Sequence, residues 1–263
     1  MTIVAFSMMN INGDPGNEKE TSSTKEHPFG TRMVIGDRIY KYVKVGAVAI
    51  ANGGLLMAAP IGIPNHEVDL VIPSASAVGA NSIVVTLGST AATEDQYADG
   101  YVYYNGHLPA NKSGEIYKIR QHNSVLTGGE ATLNLYDGDT VKTATVASST
   151  EVGIAANPYN GIIISPASAA TSLSMGVSTG PMDATTATVD SFGWVQTWGY
   201  APLLCSTLVY VLDAAVRKSD NTAGAAEAFN SDASAEDYQL LGYSTLVIPA
   251  AGDYGLVDLR ISA

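Results

Sequence analysis

The stretch Gly30–Pro60 reads GTRMVIGDRIYKYVKVGAVAIANGGLLMAAP. RIYKYVKVGAVAI (Arg38–Ile50) intersperses Arg38, Lys41 and Lys44 among strand-forming Ile, Tyr and Val, and Gly36, Gly46, Asn52, Gly53 and Gly54 break the run into short pieces. The pattern predicts two strands joined near Gly46, followed by a turn at Asn52–Gly54. No side chain along it is placed for catalysis. It is the sequence of a scaffold.

The same style recurs on both sides of a strand-rich middle. Between Val68 and Val146, SIVVTLG (Ser82–Gly88), GYVYYN (Gly100–Asn105), EIYKIRQH (Glu115–His122) and ATLNLYD (Ala131–Asp137) follow at hairpin-like intervals. Turn signals separate them at Asn105-Gly106, Asn111–Gly114, Gly128-Gly129 and Asp137–Asp139. Later strands are expected at Gly161–Ser165, Phe192–Tyr200, Ser206–Leu212 and the closing GLVDLRI. One helical or Ala-rich piece is expected around Ala223–Leu241, where AGAAEAF and SAEDYQLL carry helical propensity and Ser234 is a candidate cap. The fold class is therefore mainly β, an antiparallel sandwich or barrel with an inserted β module and one short helix near the C-terminus. Residues 31–67 and 147–263 form the expected main domain, and 68–146 the insertion.

Gly13–Pro28 is polar and turn-rich, so residues 1–30 read as an N-terminal arm with the apolar tip Met1, Ile3, Phe6 and Met8. That tip docks on a neighbouring subunit or forms a first strand of its own subunit. The sequence leaves both open.

At 263 residues, with 46% hydrophobic and only 14% charged, the chain buries a sizeable core and presents a surface low in charge. Weakly charged surfaces suit protein contacts. The net charge of −12 contains no basic cluster, which argues against nucleic acid as a direct partner. A single cysteine, Cys205, excludes a disulfide framework and a multi-Cys zinc site. Neither a secretory leader nor an apolar run long enough for a membrane span is evident, so a soluble product of the cytoplasm is expected.

Motifs for chemistry are sparse. Gly176–Gly180 matches G-x-S-x-G around Ser178, but the expected strand-to-helix context is missing and His27, His66, His107 and His122 all precede it. Phosphate-loop, H-E-x-x-H and C-x-x-C patterns are lacking. Asp137-Gly138-Asp139 and Glu94-Asp95 read as turn chemistry before calcium ligation. No catalytic, cofactor or metal residue is assigned. Tyr97, Tyr101, Tyr103 and Tyr104 form an aromatic-rich patch in the insertion. Trp194 and Trp198, four apart, are expected on one face of a strand and buried together within the subunit or at an interface.

The order GTR…D-R-x-Y-x-Y-x-x-x-G-A, YADGYVYYN, YKI…TLNLYD, NPYNG and GWVQTWG resembles a family of tailed-phage virion proteins that decorate and stabilise the head. The resemblance runs from Pro28 to Leu204. It implies a non-enzymatic capsid decoration or cement protein, located on the virion surface, with the major capsid protein and further copies of itself as partners, a trimer being the first expectation. Met1, Ile3, Phe6, Met8, Trp194 and Trp198 are the interface candidates. A tail or adhesion component binding a host glycan is the alternative, and a major capsid subunit a lesser one.

Overall fold

The computed structural model describes residues 10–106, 114–168, 172–206, 211–229, 239–247 and 250–263. The chain opens with β1 (Asn10–Asn12), β2 (Arg32–Ile35), β3 (Arg38–Val45) and β4 (Leu55–Met57). A middle group follows: β5 (Leu70–Val71), β6 (Ser82–Thr86), β7 (Tyr101–Gly106), β8 (Ile116–His122), β9 (Glu130–Leu135) and β10 (Glu151–Ala155). The last group is β11 (Asn160–Ile164), β12 (Ser174–Ser178), β13 (Phe192–Leu204), β14 (Ala215–Lys218), β15 (Ala226–Ala228), β16 (Gly242–Ser244) and β17 (Tyr254–Arg260). Of the described residues 41% are extended and 1% helical, so the protein is mainly β.

The helix expected over Ala223–Leu241 is overturned wherever that segment is described. Ala223 and Gly224 form a turn and Ala226–Ala228 is strand β15, paired with β14. Tertiary context overrides the alanine propensity here: Ala226 fills a core cluster, and the register sets Glu227 opposite the buried Arg217. Ser234 and its neighbours in 230–238 lie outside the described residues.

Two compact units divide the chain. The middle unit covers Pro60–Asn157, a wider span than 68–146, and takes in β10, which joins β5 and β7 in its sheet. Its six strands run β5-β10-β7-β8-β9-β6. Inward residues such as Ile83, Val102, Tyr104, Ile119 and Leu133 form one apolar core.

The larger unit is built from the chain on either side of the insertion. Its eleven strands run β1-β2-β3-β11-β4-β12-β13-β17-β16-β14-β15, and a direct β3–β13 pairing closes β3, β11, β4, β12 and β13 into a ring. Val43, Val45, Leu56, Ile162 and Val195 come from these strands and meet in the cluster that fills it. The hairpin turn is Gly36-Asp37, not Gly46. Gly46 instead marks the close approach of β3 to β11, where a Cβ would stand 2.9 Å from the Ile162 carbonyl oxygen.

From Asn10 to Pro28 the chain belongs to this same unit. β1 pairs in parallel with β2, the Gly13 N–H bonds the Val34 carbonyl, and Ser22 bridges to Phe192. The described part of the expected arm is thus a first strand followed by a tethered loop. Met1, Ile3, Phe6 and Met8 lie outside the described residues.

Candidate functional site

β13 is the longest strand among the described residues, and its two halves have different surroundings. Val195, Ala201 and Leu203 face the cores of the larger unit. On the alternate positions, Phe192 and Trp194 are buried under an aromatic cluster with Phe29, Met33, Tyr40 and Tyr42. A register shift against β3 between Gln196 and Trp198 ends this cover. Trp194 is 6% exposed, whereas Trp198 is 36% and Tyr200 52% exposed.

Of the two expected arrangements, joint burial within the subunit is therefore corrected: Trp194 is covered and Trp198 is not. The bulge inserts a residue into β13 where β3 gives way, and the chain that covers Trp194 does not reach Trp198. Gln196 marks the transition: its buried carboxamide donates to the carbonyls of Trp198 (3.0 Å) and Tyr200 (2.9 Å).

Beyond the bulge, β13, β17 and β16 form a sheet covered on one face. Register builds the open face in rows: Trp198 opposite Arg260, Tyr200 opposite Asp258, Pro202 opposite Leu256 and Leu204 opposite Tyr254. Tyr243 of β16 flanks Asp258 from the other side. The solvated face of an antiparallel sheet is normally polar. This one carries rings and aliphatics, with Tyr254 54% exposed, around one ion pair, Arg260 to Asp258 at 2.9 Å. The Arg260 guanidinium also lies 5.2 Å from the Tyr243 ring centre. Between Tyr200 and Tyr243 runs an open groove of about 510 Å³, edged by Asp213, Ser244 and Thr245.

The covered half has a cleft of its own, of about 340 Å³, between the loop after β1 and strands β3 and β13. His27, Tyr42 and Trp194 line it with inclined rings: 5.1 Å and 89° for His27–Tyr42, 5.1 Å and 65° for Tyr42–Trp194. Glu20 and Glu26 stand at its wall.

Ser178 is no nucleophile elbow. It sits within β12, buried, pairing with Val195; its hydroxyl donates to the Ala51 carbonyl (2.5 Å) and accepts from the Gly54 N–H (3.0 Å). It fastens a turn to the strand.

His66 and His122 are likewise structural. His122 Nε2 accepts from the Tyr97 N–H (3.0 Å) and its Nδ1 donates to the Asn123 carbonyl (2.8 Å), so both nitrogens of the neutral ring are used. Burial pushes its pKa down. His66 Nε2 faces the Thr90 carbonyl at 2.9 Å, leaving Nδ1 to accept from the Tyr97 hydroxyl at 2.6 Å, and burial raises the pKa of that phenol. Among the described residues no group of three or more His, Cys, Asp or Glu is arranged to hold a metal. His107 lies outside them. In the insertion, Tyr97 and Tyr104 are buried and Tyr101 and Tyr103 half-buried, whereas Tyr200 and Tyr254 of the larger unit are exposed.

Beneath β15 is a buried ionic group. Arg217 pairs with Glu227 (2.7 Å) and Asp220 (2.8 Å), and Ser219 bonds Glu227 (2.9 Å). Lys218 Nζ donates to the carbonyls of Pro166, Ser168 and Ser219, and burial lowers its pKa. Its donors are occupied, which makes it a brace.

The sequence reading missed Tyr200, Tyr243, Tyr254, Asp258 and Arg260. The available signal was apolar character at both parities of WGYAPLL, excessive for a strand with one wet face. No protein-family model, curated protein or solved structure matches the chain significantly.

Proposed function

We propose that this chain is a non-enzymatic virion protein of tailed phages, a head-decoration protein that binds the assembled shell and associates with copies of itself. The observation that carries the reading is the open face of β13, β17 and β16. Trp198, Tyr200 and Tyr254 stand in solvent on a regular sheet, in a protein of net charge −12, with Arg260 among them. Aromatics and arginine are the residues enriched at the centres of protein interfaces. Docking this face on the expanded shell, and not on its precursor, stabilises the expanded form by the difference in affinity. The resemblance along Pro28–Leu204 gives the reading its phage context.

The test is the copy number of the chain in purified virions against the major capsid protein, with binding of added protein to expanded and unexpanded shells. A copy number in fixed proportion to the capsid protein and selective binding to expanded shells are expected. Absence from heads sinks the reading.

A second reading, glycan adhesion, is favoured by one observation. Tyr200 and Tyr243 flank Asp258 and Arg260 along the groove, and rings beside charged hydrogen-bonding groups also suit a saccharide. It expects saccharide retention in isolated protein.

A further inference from the structure

We propose that the cleft beside Trp194 is a binding site for an organic cation, an ammonium or guanidinium group carried by a partner's side chain or by a small molecule. This assignment is independent of the shell-binding reading, because it uses the covered half of β13 and not the open face.

The cleft holds two carboxylates, Glu20 and Glu26, and neither Lys nor Arg lines it. Glu20 accepts from Asn17 Nδ2 (2.9 Å), and the backbone N–H of Glu26 donates to the Tyr42 hydroxyl (3.1 Å). These bonds fix both positions while leaving carboxylate oxygens to a ligand. At about 340 Å³ the cleft lies at the lower end of the roughly 300–1,000 Å³ typical of small-ligand sites.

In the aromatic cluster the protein's own cations already occupy three faces: Lys25 lies 4.2 Å from the Phe29 ring centre, Arg38 5.8 Å from Tyr40 and Lys44 5.9 Å from Phe192. Trp194 and Tyr42, the rings at the cleft, receive neither Lys nor Arg from the described residues; the His27 imidazole is the group beside them, 5.5 Å from Trp194 and 5.1 Å from Tyr42. Indole is the strongest cation–π partner among the side chains. Acid at the wall, inclined rings at the floor and the lack of a lining Lys or Arg together select a positive, partly apolar group over an anion or a neutral alcohol. The acidic chain as a whole also attracts such a ligand.

The test uses the full chain carrying Trp198→Phe, so that Trp194 is the sole indole reporter. It is titrated with tetramethylammonium, with N-acetyl-trimethyllysine amide, and with N-acetyl-norleucine amide as the uncharged control. A saturable change in Trp194 emission with the cations and none with the norleucine compound is expected. Glu26→Gln and Glu20→Gln should each weaken binding at least five-fold, and Glu26→Asp should retain most of it. Both glutamates are exposed, so these variants should keep the parent melting curve, which is recorded alongside. Tighter binding of the lysine derivative than of tetramethylammonium identifies a partner side chain as the natural source; the reverse order identifies a free cation. No saturable change, an equal response to norleucine, or full affinity in both Gln variants would overturn the assignment.

Discussion

Two halves of one strand show what decides the fate of a residue in this protein. Trp194 and Trp198 share β13 and the same side-chain chemistry, yet one is largely covered, with Tyr42 and His27 against its ring at the cleft, while the other stands at the edge of solvent. Both halves rest on apolar cores through Val195, Ala201 and Leu203. The difference lies on the alternate positions, where residues from far earlier in the chain cover the first half and leave the second bare. Spacing along a strand fixes direction; burial is fixed by what arrives from elsewhere.

The largest effect should appear on the covered side. Trp194→Ala removes a buried indole from contact with two rings and should cost about 3–5 kcal/mol of stability. Trp198→Ala should cost less than about 1 kcal/mol, since its ring is already partly in water. Urea titration of both variants measures the gap. Equal losses would break the comparison between the halves.

The boundary between them is the next place to press. Gly199 follows the register shift at φ 82°, and a Cβ there would stand 2.7 Å from the Asp37 carbonyl oxygen. Gly199→Ala should therefore cost about 1–3 kcal/mol, from the left-handed backbone and the clash together. Gly252 has a similar φ of 87° with nothing within 4 Å of the added carbon, so Gly252→Ala isolates the backbone contribution and should cost less. If both changes cost the same in urea titrations, the close approach of Asp37 is not what holds the bulge.

How much of this was legible in the sequence depends on how local each cause is. The Ile, Tyr and Val residues of RIYKYVKV marked β3, although its burial on both faces departs from a half-buried alternation, and the Asp-Gly and Asn-Gly turn signals outlined the strands of the insertion. The first hairpin was misplaced because two glycines, Gly36 and Gly46, offered equal turn chemistry, and only the neighbouring β11 reveals that Gly46 is a contact point. AGAAEAF read as helix because nothing nearby in sequence announces that Arg217 needs Glu227 across a strand pair. For the candidate site, Trp194 and Trp198 were visible as residues but their unequal cover was not. Tyr200, Asp258, Tyr243 and Arg260 become neighbours only through the β13–β17–β16 register.

The smallest expected change in folding stability belongs to the open face, and its smallness is informative. Trp198→Ala with Tyr200→Ala removes two exposed rings, and the core beneath, made by Ala201, Leu203, Val257 and Leu259, is left intact. The melting temperature should move by only a few degrees. Acrylamide should quench two classes of indole in the parent, a protected Trp194 and an accessible Trp198, and only the protected class in Trp198→Ala. Binding is where the face should show its role. Interface centres often lose about 2 kcal/mol or more per truncated aromatic, so shell occupancy of the double variant should fall at least thirty-fold. If occupancy and oligomer mass stay at parent values while retention on a saccharide matrix is lost, the same rings serve adhesion. If neither changes, the open face is not the working surface of this protein, and its aromatic rows lack a partner of either kind.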